Sequence, residues 1–160
     1  MGLRKILTDK EPALHKTCRP VVDFDKKLHK LLDDMQETLI DSNGVGLAAP
    51  QVGILRRVVL VDTGDEILEL INPSLVETDG EQTGAEGCLS VPGKYGLVTR
   101  PYYAKVRAQD RYGDWFEAEG EELIARCFCH ELDHLDGILY TQVMERFLTE
   151  EELAYDEDDE

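Results

Sequence analysis

Long apolar runs are missing from this chain. No uninterrupted apolar stretch exceeds a few residues, far short of the ~20 needed to span a bilayer as a helix, so no membrane partner is expected. The opening, MGLRKILTDKEPALHK, has neither the apolar core of a secretory signal nor the acid-free, arginine-rich character of a transit peptide, which points to a cytoplasmic protein. Bases are scarce: 17 Lys and Arg stand against 34 Asp and Glu, a net charge of −17. A surface of that sign repels a phosphate backbone, and direct nucleic-acid binding is not expected. Cysteines are few (Cys18, Cys88, Cys127 and Cys129). They lack the paired spacing of a structural zinc site, and a reducing compartment favours thiols or ligands over disulfides.

What is present suits one domain. The 160 residues, 42% of them hydrophobic, are enough to bury roughly 70% of the unfolded surface. Between Asp23 and Asn43, Leu28, Leu31, Leu32, Met35 and Leu39 recur at helical spacing, with Asp23 as a capping residue, Gly44 as a stop and His29 off the stripe toward solvent. From Arg57 to about Phe116 the pattern changes to strands: RRVVLVD, ILELINPSLV, GLVTRP and YAKVRAQD are separated by Gly, Asp and Pro turns. A second helix is expected from about Glu121 to Leu135, with acids in its first turn and Gly137 past its end. It is apolar over much of its circumference, as befits a helix packed centrally. Thr149 and Glu152 have the spacing of a capping box for a short last helix in a solvated, partly frayed acidic end. Helix, several strands, then helix predicts an α+β fold with largely antiparallel sheet.

The helix carries CHELDHLDG. Its histidines, His130 and His134, are four apart, one turn above the other on one face, so both imidazoles can reach one ion. Glu131 lies roughly 100° round, near enough to touch a water on that ion without ligating it. With 4 His and 18 Glu in the chain, about 0.01 chance matches to this pattern are expected; two histidines on an ordinary helix are the alternative. An ion would need a third ligand. Cys88, in GAEGCLSVPG, is flanked by glycines that let backbone approach a ligand closely, whereas a free cysteine is more often a small buried hydrophobe. Cys127 fits the apolar stripe instead. A third unusual stretch, GVGLAAPQ, reads as a loop facing substrate, with the Gln51 amide free to donate to an oxygen. A phosphate cradle is excluded there, since no Lys-Ser/Thr ending and no preceding strand accompany it.

Taken in order, GVGLAAPQ, EGCLS and HELDH resemble the three motifs of the peptide deformylases, and the opening positions Ile6, Leu7, Pro12, Leu14, Pro20 and Val21 are similar as well. The resemblance covers the chain to about Phe147. It implies one catalytic domain over 1–147 and an acidic helix or tail over 148–160. It also implies antiparallel sheets around a central helix bearing His-Glu-x-x-His, with an N-terminal helix and a short C-terminal one. The implied metal ligands are Cys88, His130 and His134, with water at the fourth position. Glu131 is implied as general base and acid, and Gln51 with the Leu89 N–H as donors to the oxyanion. Val45 and Gly46, with Glu86 and Gly87 opposite, would hold an extended substrate. Leu123 and Cys127 are candidates for the wall of the methionine pocket. The implied reaction removes the formyl group from the N-terminal methionine of new polypeptides. The cofactor is a divalent ion, Fe2+ first, with Zn2+, Ni2+ or Co2+ as substitutes. The implied partners are N-formylmethionyl nascent chains, with a transient ribosome contact to which the acidic tail lends no electrostatic support. Two positions depart from the family pattern: Cys129, often Gln, and Tyr95, where some members carry Arg.

Two rivals remain at this point. A zinc endopeptidase with the same helix motif would take its third ligand downstream, from Glu145 or Glu150 to Glu152, and would cleave unformylated peptides. A binding or scaffold domain would hold a structural metal with all four positions filled.

Overall fold

The apolar run VVLV opens a strand, β2 (Val58–Asp62), whose four valine and leucine side chains are fully buried. Alternation sends Val58 and Leu60 to one face and Val59 and Val61 to the other, and the two sets join different apolar clusters. Helix α1 (Lys26–Ser42) packs on the first face through Leu28, Leu31, Leu32, Met35 and Leu39; helix α2 (Leu123–Leu135) packs on the second through Ala125 and Phe128. A sheet between two helices is therefore the frame, described for residues 2–158 in this computed structural model.

Around β2 the five-stranded sheet runs in the order β1 (Gly46–Ala48), β2, β3 (Ile67–Asp79), β6 (Tyr103–Gln109), β7 (Trp115–Glu121). A separate hairpin pairs β4 (Gln82–Cys88) with β5 (Val91–Arg100) across a two-residue turn, Leu89–Ser90. Every ladder between these strands is antiparallel. The α+β class holds, and α3 (Glu150–Asp158) supplies the short last helix. Its capping box forms: the Thr149 N–H donates to Glu152 at 3.0 Å and the Glu152 N–H to the Thr149 hydroxyl at 3.2 Å. Of the end expected to fray, Asp159 and Glu160 lie outside the described residues. Among the described residues no helix is long and apolar enough to cross a membrane.

Several local expectations are corrected. The cap of α1 is Asp25, whose carboxylate accepts from the Leu28 N–H at 3.1 Å; Asp23 lies before it, and Phe24 between them packs into the core. The helix ends on Asn43 in the left-handed region, with the Gly44 N–H reaching back to the Leu39 carbonyl. His29 is half-buried rather than facing solvent, its Nε2 2.8 Å from the Arg111 carbonyl. GVGLAAPQ is not a loop: Gly46–Ala48 pairs with β2 as an edge strand, and Ala49–Val52 makes one 3-10 turn. The acids expected in the first turn of α2 lie before it. Glu121 ends β7, Glu122 bends the chain at φ 55°, and Leu123 starts the helix.

Asn72 fixes how β3 joins its neighbours. At φ 52° it sits where the β3–β6 register shifts, and its amide accepts from the Val21 N–H at 2.8 Å while donating to the Val21 carbonyl at 2.9 Å and Gln109 at 2.8 Å. Asn72→Ala removes those bonds and replaces a side chain that tolerates the left-handed backbone angle with one that does not. Urea unfolding of the metal-free chain is expected to show a loss of about 1–3 kcal/mol; a change below ~0.5 kcal/mol, the usual size for a surface substitution, would deny the residue this role.

Candidate metal centre

Helix α2 is buried on nearly all sides, which puts polar groups where they must find partners. The imidazole planes of His130 and His134 are 73° apart with centroids at 4.9 Å, and their Nε2 atoms approach to 3.2 Å. The Cys88 sulfur, arriving at the end of β4, lies 3.3 Å from His134 Nε2. One ligand atom from each of the three residues falls within 4.8 Å of the others.

This arrangement fits a metal ion. A tetrahedral ion with ordinary bond lengths separates two imidazole nitrogens by about 3.3 Å and a nitrogen from a sulfur by about 3.6 Å, close to the 3.2 and 3.3 Å observed. His130 Nδ1 is 2.7 Å from the Glu86 carboxylate, which assigns the proton to that nitrogen and turns the Nε2 lone pair toward Cys88 and His134. The other cysteines are unsuited. Burial pushes Cys18 up to about 11 and raises Cys127 and Cys129, so all three stay protonated thiols, and none joins the ligand cluster.

A cavity of about 470 Å³ opens above the trio. Val45, Gly46, Gln51, Glu86, Gly87, Leu89, Leu123 and Cys127 line it, together with Cys88, His130 and Glu131, while His134 is fully buried beneath. Gln51 is held at both ends of its amide: the oxygen accepts from the Ala48 N–H at 2.9 Å, and the nitrogen donates to Ser90 Oγ at 3.0 Å and lies 3.7 Å from the Cys88 sulfur. Glu131 is 3% exposed, and one of its carboxylate oxygens has no protein partner. Burial pushes this carboxyl up to about 7. Gly46 leaves room for it, since a Cβ there would meet the carboxylate at 2.6 Å and the Cys127 sulfur at 2.7 Å. Leu123 is 58% exposed at the mouth, and Cys127 lies buried in the wall. Tyr95 also stands at the mouth, its ring pressed against Gly87, where a Cβ would come within 2.6 Å.

Sequence reasoning placed Glu86 with the substrate. It does line the cavity, but its carboxylate is engaged within the protein, by Arg100, Arg126 and His130. Burial alone would raise Glu86, yet the hydrogen bonds from His130 and Arg100 outweigh it and hold the group at about 2. Arg100, Arg126, Asp133 and Ser90 were missed outright. One signal existed: an arginine inside the otherwise apolar LIARCF must have a buried anionic partner or reach solvent.

Cys88→Ala is expected to leave the chain with most of its metal lost, and Cys18→Ala with its metal retained, as read by elemental analysis after gel filtration. Equal metal in the two variants would reject Cys88 as a ligand.

The profile of the polypeptide deformylase family matches residues 3–149. The peptide deformylase of Agathobacter rectalis is 57% identical over 145 residues, spanning 91% of this chain and 92% of that protein. That of Lachnoclostridium phytofermentans is 52% identical over 163 aligned positions, spanning 100% and 99%. Among solved structures, a peptide deformylase from Legionella pneumophila superposes with a TM-score of 0.87 at 42% identity, over 89% of this chain and 86% of that one. A Synechococcus elongatus peptide deformylase in complex with actinonin gives 0.87 at 33% identity, over 99% and 86%. With a family match over most of its length and relatives above half identity, the chain belongs to the polypeptide deformylase family.

Proposed function

We propose that the cavity above Cys88, His130 and His134 takes the formylated N-terminus of a nascent chain, with Glu131 carrying the proton. The family membership makes the protein a metallohydrolase that removes the N-formyl group from newly made polypeptides. The observation that carries the residue assignment is the convergence of one sulfur and two imidazole nitrogens at the floor of a cavity beside a buried carboxylate.

Cys88, His130 and His134 would hold a divalent ion, which would supply Lewis acidity toward a water at neutral pH. We place Fe2+ first, by resemblance to the family, with Zn2+, Ni2+ and Co2+ able to occupy the same donors. Glu131 accepts a proton from the attacking water as the new C–O bond forms to the formyl carbon. Charge then grows on the formyl oxygen. Gln51, its amide nitrogen fixed beside the Cys88 sulfur, donates to that oxygen, as does the Leu89 N–H at the hairpin turn. Each such donor is worth roughly 2.7–4 kcal/mol when preorganised. As the C–N bond breaks, Glu131 returns the proton to the departing amine, giving formate and a free N-terminal methionine. Burial raises the carboxyl of the metal-free chain, the direction that this exchange asks of it.

Val45 and Gly46 on one side and Glu86 and Gly87 on the other flank the cavity, as an extended peptide between two edges requires, and Leu123 and Cys127 wall the methionine side chain. The catalytic unit in this reading is 1–147, with 148–160 an acidic appendage. It works in the cytoplasm on chains leaving the ribosome, through a transient contact.

The test is formate release from a formyl-Met peptide by anaerobically prepared protein, with and without chelator. Release that stops on chelation and returns with Fe2+ is expected. Cleavage of unformylated peptides instead would favour an endopeptidase. In the same assay Glu131→Ala is expected to keep its metal and lose at least ~10²-fold in turnover; near-normal turnover with metal bound would remove Glu131 from this role. Gly46→Ala, which crowds the same carboxylate, is expected to lower turnover by about ten-fold or more with metal retained, and unchanged turnover would contradict the packing inferred at that position.

A further inference from the structure

Cys88 and the histidine pair stand on pieces of structure with little apolar contact between them. The β4–β5 hairpin is a sheet of its own, and its buried cluster of Val91, Val98 and Tyr140, with Cys88 and Met144 packed on it, contains no residue of α2. Polar contacts join hairpin to helix. Glu86 of β4 receives four N–H donors, two on each oxygen: Arg100 Nε at 3.1 Å and Arg126 Nη1 at 2.9 Å on Oε1, and Arg100 Nη2 at 2.7 Å and His130 Nδ1 at 2.7 Å on Oε2. Arg100 of β5 also reaches across to Asp133 of α2 at 2.8 Å. In the other direction, Arg126 Nη1 donates both to Glu86 and, at 3.1 Å, to the Val98 carbonyl. One nitrogen from the helix thus holds both strands of the hairpin. Arg126 lies four residues before His130, one turn away on the same face.

We infer that Arg126 is a positioning residue for the metal centre: through Glu86 and Val98 it sets the seat of the hairpin on α2, and so the distance of the Cys88 sulfur from the two imidazoles. It touches no reacting atom. Without it Glu86 keeps Arg100 and His130, so the imidazole retains its partner, but Glu86 Oε1 loses one of its two donors and β5 loses the bond at Val98. Carboxylates behind ligating histidines typically alter metal affinity 10–100-fold when disturbed. A residue that bonds such a carboxylate and braces the hairpin bearing the sulfur acts on two of the three ligands.

The inference rests on the ligand assignment of the preceding subsection, and the test separates the two. Unmodified protein is loaded with Co2+ in place of its native ion. The sulfur-to-cobalt absorption in the near ultraviolet reports the Cys88 bond, and loss of colour into excess EDTA gives the release rate. A parent protein that binds no Co2+, or binds it without the sulfur band, would refute the ligand assignment itself. Given a normal parent, Arg126→Met, which keeps bulk and removes every N–H, is expected to release Co2+ on the order of ten-fold faster, with a weakened sulfur band and an unchanged far-ultraviolet circular dichroism spectrum. Arg126→Lys keeps a donor at similar reach and is expected to bring the rate most of the way back. Arg57→Ala is the control: it removes the contacts of Arg57 to the Leu135 carbonyl and Asp136 at the far end of the same helix, and is expected to release metal at the parent rate. Release from Arg126→Met within two-fold of the parent, equal acceleration in Arg57→Ala, or a lysine variant as fast as the methionine one would each overturn the inference. Should Arg126→Met not fold, Arg126→Leu, which likewise carries no side-chain N–H, takes its place with the same expected and opposing results.

Discussion

The structure depends on three lone pairs being made to converge. Two imidazole nitrogens and a sulfur lie at 3.2 and 3.3 Å from one another, near the spacing that one ion would ask of them. The fold forces the meeting by burying His134 entirely and by tethering His130 through its outer nitrogen to Glu86. That burial is what the sheet between two helices provides. The all-apolar β2 lets α1 cover one face and α2 the other, so that a helix carrying ionisable groups can be sunk into the core. Sinking charges costs several kcal/mol each unless they are paired, and the chain of Arg126, Glu86, Arg100 and Asp133 is the pairing.

The same burial makes Glu131 useful. A carboxylate in water gives up its proton well below neutral pH and is a weak acid–base partner there. Desolvation beside the histidines moves this one toward 7, and the missing Cβ at Gly46 supplies the space in which it sits. The edge strand β1 therefore does two things at once: Gly46 admits the carboxylate, and the backbone of Ala48 holds the Gln51 amide with its nitrogen toward the sulfur.

Much of this was legible in the sequence, for reasons that differ by element. The α1 stripe and the four-residue spacing of His130 and His134 are periodic facts, and periodicity survives folding. Cys88 stood out because glycine precedes it and a strand follows. Strands β4 and β7 were not legible: apart from Thr83, Trp115 and Phe116, QTGAEGC and WFEAEGE are mostly Gly, Glu and Ala, which have little strand preference, and pairing across the sheet decides their conformation. β1 is three residues long, too short for any period. Capping by Asp25 rather than Asp23 turned on two residues of register. The role of the Glu86 carboxylate was hidden for another reason: its partners lie 14, 40 and 44 positions away, and no local pattern reports contacts of that span.

The arrangement of the ion's ligands is open to direct measurement by X-ray absorption on metal-loaded protein. One sulfur neighbour at about 2.3 Å, two imidazole nitrogens at about 2.0–2.1 Å and one exchangeable light atom are expected. A shell with no sulfur, with more than one, or with a fourth protein ligand closing the site would contradict the centre described here.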